Sequence, residues 1–326
     1  IVDVDTGKIR RRFAKPGALV KGAQSTGYVS DAAEETAVDT ETVKTMAVKA
    51  IEVEGTPIMA PGPGRTLTVE LAETTAGGAD SANLVERQPG YSVNDNGPVS
   101  GEVQHRGMFG PRMNVRVDAT FINPGGPNWM DPPMHYAPPG LVESAEADRG
   151  IASVSTGAES IGGSVNAKLK KSSFVSSGDT RVNAEFNAQG RSTEDSAGGA
   201  GLVEAATDRH RVHAMASGSK GGDTEFAGGE IEASEHERYT FGGGYGVRVA
   251  PGHELAFSGR RHETNDTGNP SLSQDIRFID TTVLKCDYTG ETDVGTVQAS
   301  LSYSSVDHQM DNVTLRDPGD ANPRRV

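Results

Sequence analysis

The chain has 326 residues, 34% of them hydrophobic, and its 45 acidic against 31 basic side chains give a formal net charge of −14. That balance argues against nucleic-acid binding, where cations set against phosphates supply most of the affinity. No run of about 18 apolar residues occurs, so a transmembrane helix is excluded, but lipid-facing strands are not, because only every second residue of such a strand need be apolar. The lone cysteine, Cys286, cannot form an internal disulfide.

In chain order, residues 1–50 are polar and turn acidic at Asp31, Glu34, Glu35, Asp39 and Glu41, the composition of a weakly structured N-terminal extension. Ile51-Glu52-Val53-Glu54-Gly55 alternates as a short strand, and Pro57, Pro61 and Pro63 prevent regular structure immediately after it. Leu67 to Leu84 is expected to contain a short helix. Val99 to Val117 is expected to form strands interrupted by glycines. Six prolines between Asn123 and Gly140 call for an irregular loop. Strand and turn signals return from Leu141 to Lys170.

From about Asp179 the pattern changes. Seven stretches alternate with period two, roughly 179–189, 199–207, 210–217, 237–250, 254–262, 281–289 and 296–304. Tyr239, Phe241, Tyr245, Val247 and Val249 share one face of the fourth, opposite Gly242, Gly244, Gly246 and Arg248. The connections at 208–209, 251–253 and 290–295 are short, and those at 190–198, 218–236 and 263–280 are longer and polar. Tight turns on one side and long loops on the other are the arrangement of an outer-membrane β-barrel.

Four segments of the first half carry a resemblance. They are Gln104 to Gly110, with Arg106-Gly107; Asn114 to Asp118; Val142 to Gly150, ending in Arg149-Gly150; and Val154 to Asn166, with Gly157, Gly162 and Gly163. Together and in this order they resemble the plug domain of TonB-dependent outer-membrane receptors. One departure is Ala119, where the family usually has glycine after Asp118. The resemblance implies an α+β plug domain over residues 51–172, followed over residues 173–326 by antiparallel β-strands of an incomplete transmembrane β-barrel. The family's barrel has about 22 strands, so it also implies that the chain is the N-terminal portion of a longer receptor. It further implies a bacterial outer-membrane location. The partners would be the TonB energy-transducing protein, outer-membrane lipid and a small transported ligand. Ile51, Glu52, Val53, Glu54 and Gly55 would be the TonB-box candidate, and Arg106 and Arg149 would pair with carboxylates of the barrel wall.

Gly125 to Tyr136 resembles the copper-receptor branch of this family in its Asn-x-Met-Asp-Pro-Pro core, although Gly126 stands where that branch has a cysteine. Met130, Met134 and His135, joined by His105 and Met108 if the loops converge, are the candidate ligands, since thioether and imidazole suit soft copper ions. The packing alternative, with Trp129, Met134 and Tyr136 filling a crevice, is favoured about two to one because methionine is more often packing than ligand. His210, Arg211 and His213 are expected to be structural. No nucleophile elbow, phosphate loop or zinc-protease motif occurs, so no enzyme is expected, and no cofactor is required beyond copper or another metal as transported ligand. The readings are therefore a receptor for a metal or metal chelate, a receptor of the same family for a siderophore or other nutrient, or, from another class, a secreted β-rich binding or adhesion protein.

Overall fold

The computed structural model describes residues 79–126, 129–151, 160–176, 178–293, 295–319 and 322–325, together with the backbone of three short strands, β1 (Ile9–Arg11), β2 (Val53–Gly55) and β3 (Thr66–Glu70). The chain divides into two units, Ile1–Gly62 and Pro63–Val326. In the first, β1 and β2 pair antiparallel, with Arg10 opposite Glu54. The TonB-box candidate thus has Val53–Gly55 in a strand, and Ile51 and Glu52 lie outside the described residues, as does most of the extension.

In the second unit, Thr66–Glu70 pairs antiparallel with β7 (Val142–Arg149). The helix expected between Leu67 and Leu84 is confined among the described residues to α1 (Ala82–Glu86). Thr66, Thr68 and Val69 are β-branched and suit a pleated partner better than a helix. A hairpin comes next, β4 (Tyr91–Asp95) with β5 (Gly101–His105). Then β6 (Asn114–Val117) runs parallel to β8 (Gly163–Leu169), completing a sheet of order β3-β7-β8-β6. Its core is apolar: Val115, Val117, Leu141, Ala145, Val165 and Leu169 are all buried in one cluster. Between β6 and β7 the proline-rich loop contains two short 3-10 turns, Pro133–Tyr136 and Pro139–Leu141.

Asp118 and Ala119, at the turn after β6, both take positive φ, 50° and 60°. A side chain there crowds the following carbonyl, which is the physical reason glycine suits the position that Ala119 fills.

The seven alternating stretches form one antiparallel sheet. The strands are β9 (Thr180–Arg191), β10 (Ser196–Thr207), β11 (His210–Gly221), β14 (His236–Ala250), β15 (His253–Thr267), β16 (Asp275–Thr292) and β17 (Gly295–Asp311), with a small ribbon of β12 (Thr224–Phe226) and β13 (Gly229–Ile231) inserted between β11 and β14. The strands outrun the expected spans, mostly at the loop-rich end. There residues such as Glu263, Asn265 and Asp280 pair with their neighbours without an apolar alternation to mark them. For the same reason the connection expected at 190–198 shrinks to a tight turn at 192–195.

The sheet is inside out relative to a soluble sandwich. Its face toward the plug is polar and buried, with Arg238, Thr240, Arg260, His262, Thr264 and Thr281. Its outer face carries Val182, Tyr239, Phe257, Leu284 and Tyr303 in the open, with Phe186 74% and Leu301 76% exposed. A water-soluble adhesin would bury that apolar face, since contiguous apolar surface of this extent marks contact with lipid or protein. No helix among the described residues is long and apolar enough to cross a membrane.

Candidate functional site

The proline-rich loop is built around one buried carboxylate. The Gly125 amide donates to both Asp131 oxygens at 3.0 and 2.8 Å, and the Tyr136 hydroxyl donates to Asp131 at 2.5 Å. Burial pushes the Asp131 carboxyl above its ordinary range and the Tyr136 phenol well above its own. Next to it, His135 is buried with both ring nitrogens engaged, Nδ1 with the Val99 carbonyl at 2.9 Å and Nε2 with the Thr264 hydroxyl at 2.9 Å. The carbonyl can only accept, so Nδ1 carries the proton and Nε2 accepts from Thr264. Burial, and secondarily the Arg238 guanidinium, press the His135 pKa down to about 3. His135 is a neutral structural histidine with no lone pair free for a metal.

The five metal candidates do not come together. Met134 belongs to the plug core, whereas Met130 packs in a separate cluster with Ile276, Ile279 and Met310. Ser100, at the head of β5, donates to the Met130 carbonyl at 2.6 Å. His105 ends β5, roughly 16 Å further along an extended chain. There its Nδ1 meets the Gly162 carbonyl at 2.9 Å, its ring tilts against Tyr91, and its pKa is lowered by burial. Met108 lies across a bridge from His105. The packing alternative therefore accounts for Met134, and hydrogen bonding accounts for His135. Among the described residues no group of three or more His, Cys, Asp or Glu is placed to hold a metal.

What Met130 does meet was not singled out in the sequence. On β17, His308 and Met310 are two residues apart and share the plug-facing side. Met310 packs with Met130. The His308 ring lies against the Gly125–Gly126 backbone, so close that a Cβ on Gly125 would sit 2.7 Å from its Nδ1, and one on Gly126 3.5 Å from its Nε2. His308 also acts on the Asp131 carboxylate. Met130 and Met310 thus share one cluster, and His308, two residues from Met310, lies against the same loop at Gly125 and Gly126. The i, i+2 spacing on a strand was the available signal; only the fold shows which loop faces it. Nearby, a cleft of about 460 Å³ opens between plug and loop-side connections, lined in part by Asp80, Asp95, Arg191, Glu194, Ser234 and Ser271. Asp80 accepts from the Ala82 and Gly101 amides at 2.8 and 2.6 Å, and burial raises its pKa to about 6.

Of the plug-signature residues, Gly107, Gly150 and Gly163 adopt positive φ at turns, and Gly157 lies outside the described residues. A Cβ on Gly162 would sit 2.7 Å from the Arg112 carbonyl oxygen. The expected pairing of Arg106 and Arg149 with the wall is not found within the described residues. Arg106 is exposed in a left-handed turn and Arg149 stays near Tyr91 and His105. Two other ion pairs cross between plug and wall, in opposite directions: Lys170 of the plug side donates to Glu185 of β9, and Arg260 of β15 donates to Asp118 of the plug. Arg260 Nη1 donates to Asp118 Oδ2 at 2.6 Å. Arg238 donates to the His135 carbonyl at 2.9 Å and to the Ala79 carbonyl. Arg211 donates to the Ser172 carbonyl at 2.8 Å, and the Ser172 hydroxyl meets His213 Nδ1 at 3.1 Å.

Room for this row comes from β14. A Cβ on Gly242 would lie 2.9 Å from Arg260 Cγ, one on Gly244 2.6 Å from His213 Cε1, and one on Gly246 2.6 Å from Arg211 Nε. Three alternate glycines thus leave room beneath the plug for the side chains of Arg260, His213 and Arg211.

Residues 56–164 match the family profile of the TonB-dependent Receptor Plug Domain. No curated protein sequence matches the chain. Among solved structures, the copper transporter OprC aligns at a TM-score of 0.69 and 20% identity over 77% of this chain and 39% of its own. The hemophore receptor HasR of Serratia marcescens, solved with its hemophore HasA and heme, aligns at 0.62 and 17% over 76% and 38%. The ferric enterobactin receptor PfeA of Pseudomonas aeruginosa, solved with enterobactin, aligns at 0.59 and 16% over 80% and 45%. The chain spans less than half the length of each. Residues 56–164 are a TonB-dependent receptor plug domain, packed against an open sheet of seven antiparallel strands whose fold is that of receptor barrels.

Proposed function

We propose that the chain belongs to an outer-membrane receptor for energised uptake of a soft metal ion or its chelate, with the metal held between Met130, Met310 and His308. The observation that carries this reading is that Met130 of the plug loop packs with Met310 of β17, while His308, two residues away on that strand, lies against Gly125 and Gly126 of the same loop. Without a thiolate, the set suits Cu(I) better than Cu(II). TonB would pull on the segment near Val53–Gly55, and ligand binding would bias a plug with two arrangements. The outward apolar band supports an outer-membrane location. The kinship with receptors and transporters supports uptake rather than catalysis.

Titrating the full-length protein in detergent with Cu(I) tests this. Met130→Ala and His308→Ala should each weaken binding by about tenfold or more, the loss of one ligand being worth roughly 1.4 kcal/mol per decade. No Cu(I) binding by the unaltered protein overturns the soft-metal reading. A second reading, a siderophore-sized ligand, is favoured by the cleft beside Asp80 and Arg191. Binding of a ferric chelate that is lost on Arg191→Ala and untouched by Met130→Ala would select it.

A further inference from the structure

The row of wall cations contains more donor capacity than the plug uses. Arg260 is 4% exposed, and its Nη1 is engaged by Asp118, yet Nε and Nη2 have no protein partner. Those two N–H groups form the side-on edge of the guanidinium, the fork that matches two oxygens of one anion. His262 sits two positions further along the same face of β15. It is equally buried, its Nδ1 meets the Thr240 hydroxyl at 3.0 Å, and its Nε2 has no protein partner. In the tautomer whose Nδ1 accepts from Thr240, Nε2 carries the proton and is a third donor. On the plug side, Thr120 sits two residues beyond Asp118, buried, and its hydroxyl also lacks a partner.

Charge favours an anion at this place. Arg260 and Arg238 both act on His262, whereas Asp118 already accepts from Arg260 and from the Leu169 amide at 3.0 Å. Buried donors without partners cost about 1–3 kcal/mol each, more when charged, so such a group of them is retained where something satisfies it. We propose that the seam between plug and wall holds an oxyanion of carboxylate or phosphate type, gripped side-on by Arg260 and completed by His262 Nε2 and the Thr120 hydroxyl. The site is separate from the Met130–Met310–His308 group and does not depend on which nutrient is carried. An anionic chelate passing along the seam and a resident small oxyanion would be recognised by the same chemistry.

The test uses selenate, whose selenium marks its own position by anomalous scattering. Crystals of the full-length protein soaked in selenate should show a peak within hydrogen-bond distance of Arg260 Nε and Nη2. Arg260→Lys keeps a cation for Asp118 but lacks the side-on fork. It should abolish the peak and raise the selenate concentration needed to shift thermal unfolding by about tenfold or more. Thr120→Val serves if that variant fails to fold, with an expected loss of several-fold. Ordered waters alone at Arg260, or equal selenate affinity in the variants, overturns the proposal. An anionic siderophore chelate that competes for the selenate peak identifies a transit site, and one that does not identifies a resident anion. Neither readout depends on copper, so failure here leaves the uptake reading to stand or fall on its own titration.

Discussion

The plug interior and the seam between plug and wall are buried to similar degrees but built from opposite materials. Inside the plug, Val115, Leu141, Val165 and Leu169 pack as an ordinary apolar core. Across the seam, Arg238 and Arg260 meet plug carbonyls and one carboxylate, Thr264 meets the His135 ring nitrogen, His213 meets the Ser172 hydroxyl and His262 packs edge-on to Tyr136. Apolar packing stabilises a body that must stay whole. A polar contact between two bodies can exchange its partners for water when they part, so it suits the movement of the plug as a unit that the proposed function requires.

Four substitutions and a pH series break or sharpen that contrast. The largest effect is expected from Asp118→Ala, which leaves the Arg260 guanidinium buried without its carboxylate. About 3–5 kcal/mol should be lost in denaturant unfolding, and Asp118→Ala with Arg260→Met should recover much of it. Next, Leu141→Ala opens a cavity in the plug core and should cost about 2–5 kcal/mol, without easing plug release under a pulling force. Arg238→Met removes the donors to Ala79 and His135 and leaves two carbonyls short of partners. It should cost roughly 1–3 kcal/mol and, unlike Leu141→Ala, should lower the force at which the plug detaches in single-molecule pulling. The smallest is a gain: Ala119→Gly relieves a left-handed residue and should stabilise by about 1 kcal/mol.

Acid sharpens the same contrast. His135, held neutral with a folded pKa near 3, leaves the unfolded chain binding the extra proton below its ordinary value of 6.5, so stability from this group is full above that value and falls toward pH 3. Asp80 works in reverse. Its folded pKa near 6 exceeds the unfolded 3.8, so the folded protein gains stability as pH drops from 6 to 3.8. Asp80→Asn removes the opposing contribution. Its unfolding midpoint should fall more steeply between pH 6 and 4 than that of the unaltered protein, and identical slopes would refute the assignment.

The barrel strands were legible because an exposed apolar face on one side and the plug on the other impose period two on residues such as Tyr239 to Val249. Their loop-side extensions were not, because in Glu263–Thr267 and Asp275–Asp280 both faces are polar and pairing alone sets the strand. The plug was legible through its glycines at turns. Its helix was misplaced because Leu67 to Leu84 mixes a β-branched strand with a short helix under one apolar average. The ligand set proposed around Met130 was half legible. The loop offered methionine and histidine, but His135 is consumed by Val99 and Thr264, and its replacement, His308, lies far along the chain. The partners of the plug–wall ion pairs were invisible, since an arginine next to a glycine carries no mark of the group it will face.

The alternate glycines of β14 give the wall remote authority over the plug. Gly242 touches no plug residue in the hydrogen-bond pattern, yet a single methyl group there would meet the Gly259 carbonyl and the Arg260 stem of β15, and so press on the guanidinium that holds Asp118. A keyway is defined by the metal cut away, and this strand likewise governs its neighbour through atoms it does not have.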